Sequence, residues 1–204
     1  MPLVLITCTQ PRADWIVKDL NRSQIQAIAH PVLKVEKMNT KPPHGDFDAL
    51  LITSPHAVIP DLPDLPVLAV GEYTANIARK NGMYVSHTGH AGVRNMDLSS
   101  FQHILYPCAK EPSFVPEKVT TWPAYKTVLN NNLEIDKRST IICVFSVKAA
   151  IHVRDICNDS QHIICLSDAI ASIFENHPIE NLAVCKTPRY DEMTKLIHDK
   201  VKNL

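Results

Sequence analysis

The sequence lacks a surplus of charge of either sign. Its 21 basic residues balance 21 acidic ones, so no protein-wide field is available to hold nucleic acid or an anionic membrane surface, and neither is expected as a partner. Any anionic ligand must be met by local groups. Glycine is scarce, with 5 in 204 residues, and neither GxxxxGK[ST] nor GxGxxG occurs; a GxSxG elbow and a paired-carboxylate signature are missing too. Familiar nucleotide and hydrolase chemistry is therefore not expected. No stretch approaches the roughly 18 apolar residues that span a bilayer, and Met1-Pro2-Leu3-Val4 opens with neither a basic leader nor a signal-length apolar segment. The expectation is a soluble cytoplasmic protein. The six cysteines form no CxxC pair and read as small buried hydrophobes. His87 and His90 form the one tight histidine pair, without a cysteine or acidic third ligand nearby, so no metal is expected.

What the sequence does contain is a repeated plan. Ala49-Leu50-Leu51-Ile52 is a short apolar run suited to a parallel sheet covered on both faces. It stops at Thr53-Ser54-Pro55, where Ser54 suits an N-cap and Pro55 the first helical position, whose missing N–H has no intrahelical partner anyway. Val67-Leu68-Ala69-Val70 is a second such run. It ends at Gly71, and Glu72 to Lys80 reads as a helix with an acid in its first turn, bases in its last and Asn81-Gly82 closing it. About 92 to 96 residues on, the same grammar returns. Ile141 to Lys148 lies over the first strand and turn, pairing Ser146 with Ser54, and Ile163 to Asp168 followed by a helix from Ala169 to Glu175 lies over the second.

Taken in order, Leu3 to Ile6 is a strand, Arg12 to Leu20 a helix with Trp15, Ile16 and Leu20 on one face, and Ile25 to Val35 holds a second strand. The polar, proline-containing segment from Lys34 to Gly45 has the composition of a linker. After the organising stretch, Tyr84 to Ser86 and Ile104 to Tyr106 supply two strands, with a helix expected over Met96 to His103 and Pro107 closing the second strand. Pro112 and Pro116 argue against a helix between Cys108 and Val119. Thr120 to Tyr125 reads as a last edge strand, Lys126 to Ser139 as a second linker, and Glu192 to Val201 as a final helix. The fold class expected is α/β: two similar parallel-sheet domains of flavodoxin-like layout, joined by two linker strands, with a cleft between them. Residues 1–36 and 139–204 form a discontinuous domain, 46–125 the inserted one, and 37–45 and 126–138 the linkers.

In open parallel sheets ligands bind beyond the carboxyl ends of the strands, which singles out the turns at Thr7, Ser54, Gly71, Ser146 and Ser167. Each precedes a helix start, whose free backbone N–H groups favour an anion such as a carboxylate or phosphate. Each serine can equally serve only to cap its helix. Gly71, without a Cβ, allows close approach of a ligand, or is simply a turn glycine. Thr74 lies in the first turn of its helix and can bond back to the backbone or face a ligand. Tyr125 can donate a proton to a leaving oxygen, or pack. Arg12, Lys110, Lys148, Lys186 and Arg189 follow strand ends and can pair with carboxylates, or remain solvated.

The segments VLITCTQPRADWIVKDL, DFDALLITSPHAV, LPVLAVGEYTANIARKNG, ILYPCAK, AYKT, VFSVKAAI and KTPRYDEM, in this order along nearly the whole chain, resemble the uroporphyrinogen-III synthase family. The resemblance implies a two-domain, monomeric, cofactor-free lyase of haem and tetrapyrrole biosynthesis. Its small-molecule substrate would be hydroxymethylbilane, a polycarboxylate, cyclised with loss of water and inversion of the last ring. It also implies Tyr125 as the group assisting departure of the hydroxyl, and Ser54, Thr74 and Ser146 as groups orienting substrate carboxylates. Three features depart from the family's pattern. Cys8 replaces a basic residue, Ser167-Asp168-Ala169-Ile170 replaces a glycine-proline-threonine-threonine turn, and the stretch from Lys110 to Val119 is short. The alternative class is a non-catalytic, hinged binder of small anions on the same plan.

Overall fold

The computed structural model describes residues 2–89, 92–130, 135, 139–179 and 181–204. They divide into two compact units, one built from the chain up to Lys34 together with Val128–Leu204, the other from Val35–Thr127. His90, half of the histidine pair, lies outside the described residues, as does most of the stretch 131–138.

The first unit holds β1 (Leu3–Ile6), α1 (Arg12–Arg22) and β2 (Ala27–Ala29) from the start of the chain. From the end come β9 (Ser139–Val144), α3 (Val147–Ile156), β10 (His162–Cys165), α4 (Asp168–Ala171), β11 (Leu182–Val184) and α5 (Tyr190–Lys202). Its sheet runs β11-β10-β9-β1-β2, parallel throughout. Numbered within the unit that is 2-1-3-4-5, the flavodoxin-like order. Successive strand residues alternate between two cores, as a pleated strand requires. Val4, Ile6, Ile141 and Cys143 pack with Ile16 and Leu20 of α1 and Met193 and Ile197 of α5. Leu5, Ile142, Val144 and Ile163 pack with Ala149, Ala150 and Val153 of α3 and with Phe174. Both faces are covered, which is why these strands are apolar without a break. Trp15 departs from the expected buried face: it is 44% exposed and lies against Tyr190, with ring centroids 4.7 Å apart.

The second unit holds β4 (Ala49–Ile52), β5 (Val67–Val70), α2 (Glu72–Lys80), β6 (Val85–Gly89), β7 (Ile104–Ala109) and β8 (Val119–Leu129), with β3 (Leu33–Lys37) at one edge. The order is β3-β8-β7-β4-β5-β6, and β4 through β8 pair in parallel. Leaving β3 aside, β4, β5 and β6 occupy the places of β9, β10 and β11, while β7 and β8 occupy those of β1 and β2. The chain is thus a tandem repeat in which each sheet takes its first two strands from one copy and its last three from the other. That exchange makes one unit discontinuous. Leu50, Leu51 and Ile52 are fully buried, each contributing about 1.5–3 kcal/mol of transfer free energy.

Lys34 to Lys37 in β3 and Lys126 to Leu129 in β8 are the two linker strands expected; three other expectations need correction. Met38 N–H bonds to the Ala124 carbonyl and Asn130 N–H to that of Val32, so β3 and β8 run antiparallel. Thr120 to Tyr125 is consequently no edge strand, since β8 lies between β3 and β7. Pro107 does not close β7, which runs on through Cys108 and Ala109 along β8. Met96 to His103 is not a helix. Asp97 accepts the Ser99 N–H at 2.9 Å, and Asp48 accepts those of Gln102 and His103 at 2.7 and 3.1 Å. These side-chain acceptors replace helical carbonyls, and the irregular segment lays Met96, Leu98 and Phe101 over the sheet face formed by Leu51, Leu68, Ile104 and Tyr106. The helix expected over Ala169 to Glu175 shortens to α4 and a 3₁₀ turn, Ser172–Phe174.

Cys8, Cys108, Cys143, Cys165 and Cys185 are buried and Cys157 is partly exposed, all as free thiols. Burial pushes Cys8 and Cys165 up to about 12 and Cys157 and Cys185 up to about 11. In the unfolded chain these thiols ionise near pH 9 while the folded protein keeps them protonated. The stability they contribute is therefore complete below pH 9 and is lost as pH rises through 11 to 12. The melting temperature is expected to fall steadily above pH 9, and iodoacetamide to label the native protein slowly, Cys157 first, with full labelling only in denaturant. Rapid labelling of Cys143 in the native protein would contradict this packing.

Candidate functional site

The strand order sets the switch points where ligands bind in such sheets: between β1 and β9 in the first unit, and between β4 and β7 in the second. In the second unit β4 ends in Thr53 and Ser54, which the pleat sends to opposite faces. Thr53 meets Tyr106 of β7, hydroxyl to hydroxyl at 3.0 Å. Ser54 bonds to Tyr125 of β8 through their side chains. Two hydroxyl–phenol pairs thus stand at the carboxyl end of one strand. Burial, more than any neighbour, raises both phenols above the ordinary tyrosine value, and at neutral pH both are protonated donors.

Tyr125 reaches this position because β8 carries a bulge. Cys108 pairs with Pro123 and Ala109 with Tyr125, leaving Ala124 as an extra residue. Trp122, Ala124 and Tyr125 therefore all pack into the core shared with Leu50, Ile52 and Ala75, where strict alternation would have turned Tyr125 away. Tyr125 is 6% exposed. Its carbonyl accepts the Lys110 N–H at 2.7 Å, which fixes the bulge to the end of β7.

Ser54 is also the expected N-cap, though of a 3₁₀ turn, Pro55–Ala57, and it accepts the His56 N–H at 3.3 Å. That turn folds the His56 ring to 5.9 Å from the Tyr125 ring, centroid to centroid, at 56°. Burial lowers the imidazole below the ordinary histidine value, so it is neutral at pH 7. On the neighbouring strand, Gly71 has φ +81 and its N–H bonds to the Gly89 carbonyl at 2.7 Å. A Cβ on Gly71 would meet nothing within 4 Å, so the space in front of it is open. Thr74, in the first turn of α2, is buried, and Gly71 leaves the α2 N–H groups without a side-chain cap.

In the first unit the Thr7 hydroxyl donates to the Cys143 carbonyl at 2.7 Å across β1 and β9, and at 1% exposure it tethers the strand ends. Ser146 caps α3, accepting the Ala149 N–H at 3.2 Å. Lys148 follows in the exposed first turn. Ser167 stands before α4 with no side-chain cap bond, followed by Asp168. The Arg12 guanidinium lies 5.4 Å over the Phe145 ring, and Arg189 pairs with Asp191 at 2.7 Å. Among the described residues, no group of three or more His, Cys, Asp or Glu is placed to hold a metal ion. Within the same residues, no helix is long and apolar enough to cross a membrane.

Of the residues singled out from the sequence, the structure sets the turn of Ser54 against Tyr125 and places Gly71 and Thr74 on the neighbouring β5–α2 junction. Sequence reasoning misses Thr53, Tyr106 and His56. Thr53 and His56 flank Ser54 in the TSPH turn, so adjacency is a usable signal; Tyr106 reads as a core strand residue, which in part it is.

No family model matches the sequence, and no curated protein sequence matches it significantly. Solved structures do match. The crystal structure of uroporphyrinogen-III synthetase from Helicobacter pylori 26695 is similar with a TM-score of 0.64 and 15% identity, over 98% of this chain and 99% of that one. A mutant uroporphyrinogen III synthase from the extremely thermophilic bacterium Thermus thermophilus is similar with a TM-score of 0.53 and 12% identity, over the whole of both chains. At such identities the likeness is one of fold, and this chain has the two-domain α/β fold of those enzymes.

Proposed function

We propose that this protein is a uroporphyrinogen-III synthase, closing hydroxymethylbilane to uroporphyrinogen III with inversion of the last ring and release of water. The observation that carries the proposal is the likeness in fold over nearly the full length of both chains, joined to a polar cluster of this chain's own at a switch point, Thr53, Ser54, His56, Tyr106 and Tyr125. The chemistry asks for a proton donor at the departing hydroxyl and for many carboxylate contacts. A protonated phenol at Tyr125 meets the first need. In this reading Ser54, Gly71 and Thr74 in one unit, with Thr7, Ser146, Lys148 and Ser167 in the other, orient carboxylates through hydroxyls, the lysine and the uncapped N–H groups of α2. With zero net charge, such local donors have to supply the recognition. Tyr125 gives its proton to the hydroxyl oxygen, the carbon–oxygen bond breaks, and water leaves behind a delocalised cation. Holding that cation so that the substituted carbon of the last ring attacks it selects the inverted isomer.

The test adds the purified protein to freshly made hydroxymethylbilane, oxidises the products and separates the porphyrin isomers. The expected result is a dominant type III isomer. Only the symmetric type I isomer, formed at the uncatalysed rate, would overturn the enzyme reading and favour the hinged anion binder. The exposed Asp168, in the turn that would face an acidic ligand, is the feature that favours that second reading. The protein is proposed to act as a cytoplasmic monomer.

A further inference from the structure

The switch-point crevice of the second unit has two walls, the turn after β4 and the loop after β7, because the chain leaves these neighbouring strands in opposite directions. The first wall carries Ser54. The second, from Lys110 to Lys118, is a short non-helical stretch that includes Pro112 and Pro116. Phe114, in the middle of it, is half-buried, and the Arg94 guanidinium lies over its ring, 4.2 Å from the centroid.

Arg94 belongs to a 3₁₀ turn, Val93–Asn95, just beyond the carboxyl end of β6. Met96 anchors that turn. Its side chain is buried with Leu51, Leu68, Ile104 and Tyr106, with Val93 packed against the same cluster, and its Sδ fills the place a Cβ on Gly89 would need. Tyr106 of this cluster is the phenol bonded to Thr53 at the end of β4. The Arg94 backbone is thus tied to the sheet face of the Thr53–Tyr106 pair, while its side chain is exposed.

An arginine over an aromatic ring is held there by cation–π attraction, which restricts its swing and leaves its fork of N–H donors for a carboxylate. Among the described residues no Asp or Glu pairs with Arg94, in contrast to Arg79 with Glu72 and Arg189 with Asp191. The first unit repeats the device at its own switch point, where Arg12, after β1, lies over Phe145, at the end of β9. In a chain of zero net charge, a braced cation on a crevice wall is what recognition of a polycarboxylate needs. Resting on the proposed cyclisation, we infer that Arg94, braced by Phe114, is a substrate-binding residue that takes one carboxylate of the substrate in a bidentate pair.

The test measures two things in wild type, Arg94→Gln, Arg94→Lys and Phe114→Leu: the Kd for uroporphyrin III, the oxidised polycarboxylate product, by fluorescence, and KM and kcat for type III formation. Lys80→Gln, which removes an exposed charge at the far end of α2, is the control for net charge. Arg94→Gln is expected to raise Kd and KM by about tenfold, the size of one charge-assisted contact. Its kcat changes little, because the contact is made equally in ground and transition states. Arg94→Lys keeps the charge without the fork and recovers part of the loss. Phe114→Leu raises Kd by about two- to fivefold, and Lys80→Gln leaves both constants alone. Wild-type Kd and KM in a folded Arg94→Gln protein would overturn the inference and leave the cyclisation standing, as would an equal rise in Lys80→Gln. A wild type that makes only type I product, yet loses porphyrin affinity on Arg94→Gln, would overturn the cyclisation and support the carboxylate site. A wild type that neither binds the porphyrin nor makes type III product would overturn both.

Discussion

Replacing Tyr125 by phenylalanine is expected to lower kcat for type III formation by about 10²-fold or more, with KM little changed and the fold intact. The ring remains in the core with Leu50, Ile52 and Ala75, so packing survives. The loss is the O–H, which is proposed to serve as proton donor and lies near the Ser54 hydroxyl. Stability falls by only about 1 kcal/mol, the typical net value of one hydrogen bond. Chemistry and packing are thus separable at this residue. A stopped assay at saturating substrate, alongside a urea titration, measures both. Wild-type kcat in a folded Tyr125→Phe protein would remove the phenol from the proton transfer.

The second large effect is expected at Gly71. With φ +81 and ψ 143, its backbone occupies a region that residues with a Cβ rarely adopt. Gly71→Ala should cost about 1–3 kcal/mol of stability, or force the β5–α2 junction to turn and break the 2.7 Å bond from the Gly71 N–H to the Gly89 carbonyl. Because a Cβ would meet no protein atom within 4 Å, steric clash within the fold is not the cause. The added methyl would instead stand in the open space where a carboxylate is proposed to approach α2. The predicted signature is a raised KM with kcat less affected, together with a lower melting temperature. Gly82, at φ +80 in the closing turn of α2, supplies the control. Its Ala variant should lose similar stability and leave KM alone. Equal KM values for the Gly71 variant and wild type would show that no ligand comes near that turn.

The expectations that failed share a cause. A helix is expected over Met96 to His103, between two strands, yet Asp48, distant in sequence, supplies the acceptors that hold Gln102 and His103 in another conformation. Thr120 to Tyr125 reads as an edge, but the linker strands at Lys34 to Lys37 and Lys126 to Leu129 pair antiparallel across the width of the sequence, which puts β8 inside the sheet. Pro107 has the character of a stop, but β7 continues through it beside β8. In each case a partner far along the chain decided the local state, and local propensity carries no trace of that partner.

The sequence by itself determined the two-copy α/β plan, the strands β1, β4, β5, β9 and β10, the helices α1, α2 and α5, and the caps at Ser54 and Ser146. Those features depend on short-range physics: unbroken apolar runs fit doubly covered parallel strands, and a serine hydroxyl reaches the free N–H groups of the next turn. Only the tertiary structure decided the antiparallel pairing of β3 with β8 and the company Tyr125 keeps. One extra residue, Ala124, bulges β8 and rotates Tyr125 onto the face of Ser54 and His56. Without the bulge, the two-residue period of a strand would send the phenol to the opposite face, away from the turn with which it is proposed to act.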